Sequence, residues 1–216
     1  VHVLPGIPEV KILMKANGIP HPPIHSPVVY FSLARQIVDD YGIRQGICLD
    51  IGSGVGLLGI GIAMMTQLSV FLVDIDRHAL EGALANAKYF MVRHNITCLR
   101  ADVHNLPLID GSANLIASRG SVLFWKDPVR AFMCINRILA PNAVAFIGGG
   151  LHRCLPREER KKLKKAIRGW FESPDAKSLL PPHSWPVSCW MANAKIKAFR
   201  IIDDNPGKWI EIRKME

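Results

Sequence analysis

The chain has 216 residues, 49% of them hydrophobic and 21% charged, with a formal net charge of +9 at pH 7. That length suits one domain able to bury a core without disulfides, and no internal repeat or low-complexity tract appears. The longest apolar run, Leu57 to Met65, is far shorter than the ~20 residues a membrane-spanning helix needs.

Residues 1–25 read as an extended arm, because five of the fifteen prolines fall there, at positions 5, 8, 20, 22 and 23, with a sixth at 27. His21 and His25 lie among those prolines with no further ligand nearby, so no metal site is expected. The remaining 26–216 read as a single domain that opens with a helix over Ser26 to Tyr41, in which Tyr30 and Phe31 are candidate lid residues or helix-face packing. The segment Cys48-Leu49-Asp50-Ile51-Gly52-Ser53-Gly54-Val55-Gly56-Leu57-Leu58 follows. It is an apolar strand running through an acid into a glycine-rich turn, and it predicts a nucleotide-like ligand lying against bare backbone. A helix is expected from about Leu57 to Met65.

The frame Gly54-x-Gly56-x-x-Gly59 also fits a dinucleotide fingerprint, with Asp74 at the distance of a ribose-binding acid. Asp50 argues against that reading, because a carboxylate entering the turn opposes a pyrophosphate at the helix N-terminus. A cationic, phosphate-free ligand suits the acid better. Val70 to Asp74 predicts a second buried strand ending in an acid, with Ile75 placed to cover a ring face. A helix over about Arg77 to Arg93 leads to a third strand, Thr97 to Ala101, and a third acid, Asp102. In an open parallel sheet these three acids share the edge where ligands bind, although each alone also fits a helix cap or turn.

Further motifs continue the series: Ala101-Asp102-Val103-His104-Asn105-Leu106-Pro107-Leu108, a fourth strand over Ser112-Ala113-Asn114-Leu115-Ile116-Ala117-Ser118, and Ala131-Phe132-x-x-Ile135-x-Arg137-Ile138-Leu139-Ala140-Pro141. With the glycine turn and Val73-Asp74-Ile75-Asp76, these make Gly46 to Gly150 resemble a class I S-adenosylmethionine-dependent methyltransferase of the small-molecule branch that includes ubiquinone/menaquinone-type enzymes. The resemblance implies an α/β fold: one Rossmann-like domain with a mostly parallel seven-stranded sheet, helices on both faces and a C-terminal antiparallel hairpin. It implies S-adenosylmethionine as cofactor, with roles for Gly52, Gly54, Asp74, Ile75, Asp102 and Val103, and Ser118 nearby; Asp50, Ser53 and Gly56 complete the candidate set from the turn. Asn114 replaces an aspartate common in the family, and Pro141-Asn142-Ala143 replaces its usual Pro-Gly-Gly turn.

After the fourth strand, Ser118-Arg119-Gly120-Ser121-Val122-Leu123-Phe124-Trp125 supplies the candidate substrate contacts Arg119, Ser121, Phe124 and Trp125. Arg119 suits a carboxylate or phosphate, or else orders a neighbouring loop, and the aromatic pair suits a pocket wall or core packing. His104 is a candidate base or a solvated turn residue. The Asn/Asp-Pro-Pro-aromatic motif of base-methylating enzymes is missing here, since Asp127-Pro128 comes later and reads as a helix start.

A fifth strand, Ala143 to Ile147, leads to Gly148-Gly149-Gly150, which permits close backbone approach or a hinge, or else is a strand-to-loop turn. Between Leu151 and Phe171 stand eight Lys or Arg against two Glu. Leu163, Ala166, Ile167, Trp170 and Phe171 recur at helical spacing, so the cations are expected on a solvated outer face. A short helix to about Lys195 precedes two strands, Ala198 to Ile202 and Trp209 to Arg213, joined by Asn205-Pro206-Gly207. The five cysteines show no close pairing and no signal peptide is visible, so a reduced, cytoplasmic setting is expected.

The expected function is methyl transfer from S-adenosylmethionine to a small-molecule acceptor by in-line displacement. The alternatives are an RNA methyltransferase using the basic helix over 153–168, a cofactor-binding domain without catalysis and, as a minor option, a dehydrogenase. No metal is expected, and the oligomeric state is not fixed by the sequence.

Overall fold

A computed structural model of the chain describes residues 27–172, 185–204 and 207–215. The expected arm over 1–25, the two histidines within it and the Asn205-Pro206 part of the hairpin turn lie outside the described residues, as do the side chains of Ile167, Trp170 and Phe171.

Helix α1 (Pro27–Tyr41) precedes strand β1 (Ile47–Ile51), α2 (Leu57–Met65), β2 (Ser69–Asp74), α3 (Arg77–Tyr89) and β3 (Ile96–Arg100). Then come β4 (Ala113–Arg119), α4 (Pro128–Ile138), β5 (Leu139–Gly150), α5 (Arg157–Phe171), α6 (Val187–Asn193), β6 (Phe199–Asp203) and β7 (Gly207–Arg213). The strands form one seven-stranded sheet in the order β3-β2-β1-β4-β5-β7-β6. The first five run parallel, while β7 enters antiparallel between β5 and β6. This is the Rossmann-like architecture expected from the sequence.

Side-chain alternation along the strands divides the interior into two cores. Cys48, Val70, Leu72, Leu115, Ala117, Phe146 and Trp209 face α1, α2 and α3. Leu49, Ile51, Val73, Ile116, Ala145, Ile147 and Ile210 face α4 and α6. With both faces covered, parallel strands must be apolar on both sides, which is why β1, β2 and β4 read as continuous apolar runs.

Several expectations shift at element ends. Helix α3 stops at Tyr89 rather than near Arg93, because Met91 takes φ 59° and breaks the helical run. Gly148 to Gly150 is paired strand rather than hinge: β7 passes so close that a Cβ on Gly148 would lie 2.2 Å from the Lys208 carbonyl oxygen. Asn142 adopts φ 64°, and asparagine tolerates this left-handed conformation better than most residues. Phe31 is core rather than lid, meeting Phe90 edge-on at 5.1 Å.

At the far end of the sheet, buried Glu211 of β7 accepts hydrogen bonds from Tyr41 (2.7 Å), Arg200 (2.7 Å) and Arg213 (3.0 Å). Burial works to raise its pKa, but those three donors outweigh it and hold the carboxyl below its ordinary range. The network ties α1 to β6 and β7 with one charge.

Helix α5 buries Leu163 against Val29, Leu151 and Leu155. Arg160 on this helix donates to the carbonyls of His152 and Asp204, and Lys161 and Lys162 pair with Glu158 and Glu159. Three of its seven cations are thereby in use, and Arg157, Lys164, Lys165 and Arg168 are exposed, as a solvated amphipathic helix requires. Among the described residues no helix is long and apolar enough to cross a membrane.

Urea denaturation checks the left-handed turn: Asn142→Ala should lower stability by about 1–2 kcal/mol, and Asn142→Gly should change it by much less.

Candidate functional site

The carboxyl ends of β1, β2, β3 and β4 form one edge of the sheet, and the candidate residues lie along it. Gly52, Gly54 and Gly56 adopt φ 64°, 53° and 80°, a left-handed series that only glycine repeats without strain. Their roles differ. A Cβ on Gly52 would lie 2.2 Å from Ser121 Cβ, and one on Gly56 would lie 2.7 Å from a Leu72 methyl, so both are required by packing. A Cβ on Gly54 would meet nothing within 4 Å, so this glycine faces open space. The turn is pinned by Ser53 N–H to the Val73 carbonyl (3.0 Å) and Gly54 N–H to Asp74 Oδ2 (2.8 Å). Asn86 of α3 adds a bond from Nδ2 to the Val55 carbonyl at 2.9 Å. Ser53 Oγ is buried with no hydrogen-bond partner.

Asp50 is 2% exposed and accepts the Gly59 N–H at 2.8 Å. Helix α2 has Gly56 at its N-cap, which offers no side chain, so Asp50 supplies the missing acceptor from beneath the first turn. Burial pushes its carboxyl up to about 7, opposed by the Gly59 bond and reinforced by the nearby charge of Asp74. Asp50 therefore holds the turn and contributes negative potential there, while the Gly59 N–H that a pyrophosphate would seek is already occupied.

Asp74 ends β2 with Oδ2 on Gly54 N–H and Oδ1 on Asp76 N–H, 2.9 Å away. Each oxygen keeps a lone pair, and the carboxylate is fixed in orientation. Ile75 beside it is 65% exposed. Asp102, whose side chain is also 58% exposed, accepts the His104 N–H and the His104 ring Nδ1–H through Oδ1. The His104 N–H first, and its ring second, hold Asp102 below the usual carboxylate range. His104 Nε2 accepts the Asp127 N–H at 3.2 Å, so the ring proton sits on Nδ1 and the imidazole braces Asp102 against the start of α4. Val103 is buried beneath them.

Past β4 the hydroxyls form a closed set. Ser121 Oγ donates to the Ile51 carbonyl (3.2 Å), accepts from Trp125 Nε1 (3.2 Å) and lies 2.6 Å from Ser118 Oγ. Trp125 packs edge-on against Phe132 at 5.4 Å. Ser121 and Trp125 thus lock the loop under the glycine turn, and both remain partly exposed. Phe124 is 48% exposed at the same edge. Arg119 lies over the Tyr30 ring, its Cζ 4.6 Å from the centroid, and donates to the Gly150 carbonyl at 3.1 Å.

Sequence reasoning missed Asn86 and Gly59 as supports of the turn. Asn86 carried a signal: it falls on the apolar face of α3, with Ala79, Leu80, Ala83 and Ala87, where a polar residue must find a buried partner. All five cysteines are free, and no cluster of metal-ligating side chains occurs among the described residues.

A family model described as a methyltransferase domain matches residues 49–147. A solved structure from Methanococcus maripaludis, described as an S-adenosyl-L-methionine-dependent methyltransferase, is 33% identical with a TM-score of 0.75, over 87% of this chain and 86% of that one. Chloroplastic 2-methyl-6-phytyl-1,4-hydroquinone methyltransferase 1 of rice is 28% identical over 105 residues, covering 48% of this chain and 31% of the relative. The malonyl-[acyl-carrier protein] O-methyltransferase of Geobacter sulfurreducens is 29% identical over 132 residues, covering 59% of this chain and 48% of the relative. The chain thus spans less than half the length of these two curated relatives.

The raised pKa of Asp50 has a signed consequence. Folded Asp50 binds its proton more tightly than the unfolded chain does, so its contribution is full below about pH 4 and is lost as pH rises through about 7. Asp50→Asn keeps an acceptor for Gly59 without the charge. Urea titrations should show this variant gaining on the parent between pH ~5 and ~8, by on the order of 2–4 kcal/mol.

Proposed function

The chain belongs to the class I S-adenosylmethionine-dependent methyltransferases, and on that basis we propose that it transfers a methyl group to a small-molecule acceptor at the edge formed by β1 to β4. The observation that carries this reading is Asp74, a carboxylate held by two backbone N–H groups with one lone pair left on each oxygen, beside the open space at Gly54.

The residues present fit the cofactor. Asp74 takes the ribose hydroxyls, exposed Ile75 and buried Val103 line the adenine site, and the outward oxygen of Asp102 takes the adenine amino group. Gly52, Gly54 and Gly56 let the backbone approach. Asp50 and Asp74 give the turn the negative potential that a sulfonium and an ammonium favour, and the orphaned Ser53 hydroxyl gains a polar partner there. Ser118, buried under the loop, orders the floor next to the cofactor.

Bound S-adenosylmethionine supplies an activated methyl group with a neutral leaving group, so no strong acid or base is required of the protein. Its residues align the acceptor and exclude water. His104 acts here as the brace that orients Asp102, and Phe124 provides an apolar wall for the acceptor. The hydroquinone named for one relative supports the small-molecule class. The free cysteines fit a reducing compartment, with the cytoplasm as the proposed one.

Calorimetry with S-adenosylhomocysteine, with NAD as control, tests the reading. The expected result is micromolar binding of S-adenosylhomocysteine and none of NAD, with Asp74→Ala losing about tenfold or more, as loss of bonds to a charged acceptor implies. Binding of NAD in preference, or unchanged affinity in Asp74→Ala, would overturn it.

A further inference from the structure

Arg119 ends β4 with a guanidinium only partly satisfied by the protein. Tyr30 supports its face, the Gly150 carbonyl takes Nη2, and Nε is buried with no hydrogen-bond partner. None of the ion pairs among the described residues includes it. An orphaned buried donor on an unpaired, half-buried cation is destabilising by itself. The stacking and the carbonyl bond nevertheless hold the planar fork in one orientation, the arrangement that suits bidentate capture of an oxyanion. His152 adds no second positive charge there, since burial first and then Arg119, Arg160 and Arg153 drive it down to about 4.

Position identifies which oxyanion. Asp50 of β1 pairs with Ala117 of β4, and Arg119 pairs with Gly148 of β5, so Arg119 stands on the side of the glycine turn away from β2 and β3. Asp74 and Asp102 occupy that other side, which leaves the β4–β5 side for the acceptor. We infer that Arg119, on its Tyr30 platform, binds a carboxylate of the methyl acceptor, making the acceptor an organic acid. This inference rests on the methyltransferase reading above.

The test is calorimetry on the protein saturated with S-adenosylhomocysteine, using benzoate and succinate as probes and the neutral benzamide and succinamide as controls. The expected result is weak binding of the acids and none of the amides. Arg119→Met should lower affinity for the acids about tenfold or more, while changing that for S-adenosylhomocysteine less than about twofold. Arg119→Lys should recover little, because an ammonium lacks the fork. Acids binding no better than amides, or equally well to Arg119→Met, would overturn the inference. If Arg119→Met instead weakens S-adenosylhomocysteine but leaves 5′-methylthioadenosine unaffected, the residue grips the cofactor's own carboxylate and the acceptor assignment falls. Should Arg119→Met fail to fold, the acid and amide comparison on the parent protein and the Arg119→Lys variant decide the matter. Failure of the parent to bind S-adenosylhomocysteine at all would refute the methyltransferase reading itself, a separate outcome.

Discussion

The bond from Gly59 N–H to Asp50 fixes the geometry on which the rest of the site depends. It joins the end of β1 to the first turn of α2 across the five residues Gly52 to Gly56, and it does so inside the core, where an unpaired carboxylate or N–H would be costly. The helix begins on a glycine that cannot cap it, so the acceptor has to come from the strand below. Close approach is the condition: a Cβ on Gly59 would stand 3.1 Å from Asp50 Cβ and 2.4 Å from a Leu72 methyl. With both ends anchored, the turn needs only the bonds from Ser53 to Val73, Gly54 to Asp74 and Asn86 to Val55 to be fully ordered. A ligand then meets backbone whose ordering cost has already been met by folding.

The same sheet edge is electrically divided. Acids end or follow β1, β2 and β3, while β4 ends in Arg119 and is followed by a loop whose hydroxyls are satisfied internally. A cationic ligand portion and an anionic one are therefore drawn to neighbouring positions, with the glycine turn between them. Orientation follows from charge as well as from shape, and reversed binding would bring like charges together.

Much of this edge was legible in the sequence because its signals are local. Helix α2 occupies Leu57–Met65 as its apolar run and preceding glycine indicated, and Asp127 caps α4 with Pro128 in its first turn. The acids could be placed because a parallel sheet aligns its strand ends. Distinctions resting on contacts between distant segments were not legible. Three similar glycines in the turn divide into two demanded by Ser121, Leu72 and Ala83 and one facing open space, and nothing in their spacing separates them. What Ser121 and Trp125 hold in place was not legible either, because their partners, Ile51 and Phe132, lie in other elements. For the glycine triplet at the end of β5 the sequence left close approach and hinge both open, because the strand that crowds it comes almost sixty residues later.

That late strand constrains the order of assembly. Because β7 lies between β5 and β6 but follows both in sequence, β6 has no place on the sheet until β7 has been made and inserted. During synthesis at about 5–20 residues per second, the β5 edge stays open for several seconds while the segment up to β7 emerges. An open edge invites pairing with other chains. At Gly148 to Gly150 that edge also has no side chains to shield it. The backbone proximity that lets β7 fit so closely in the finished protein thus leaves, during synthesis, an interval in which the bare end of β5 is open to mispairing.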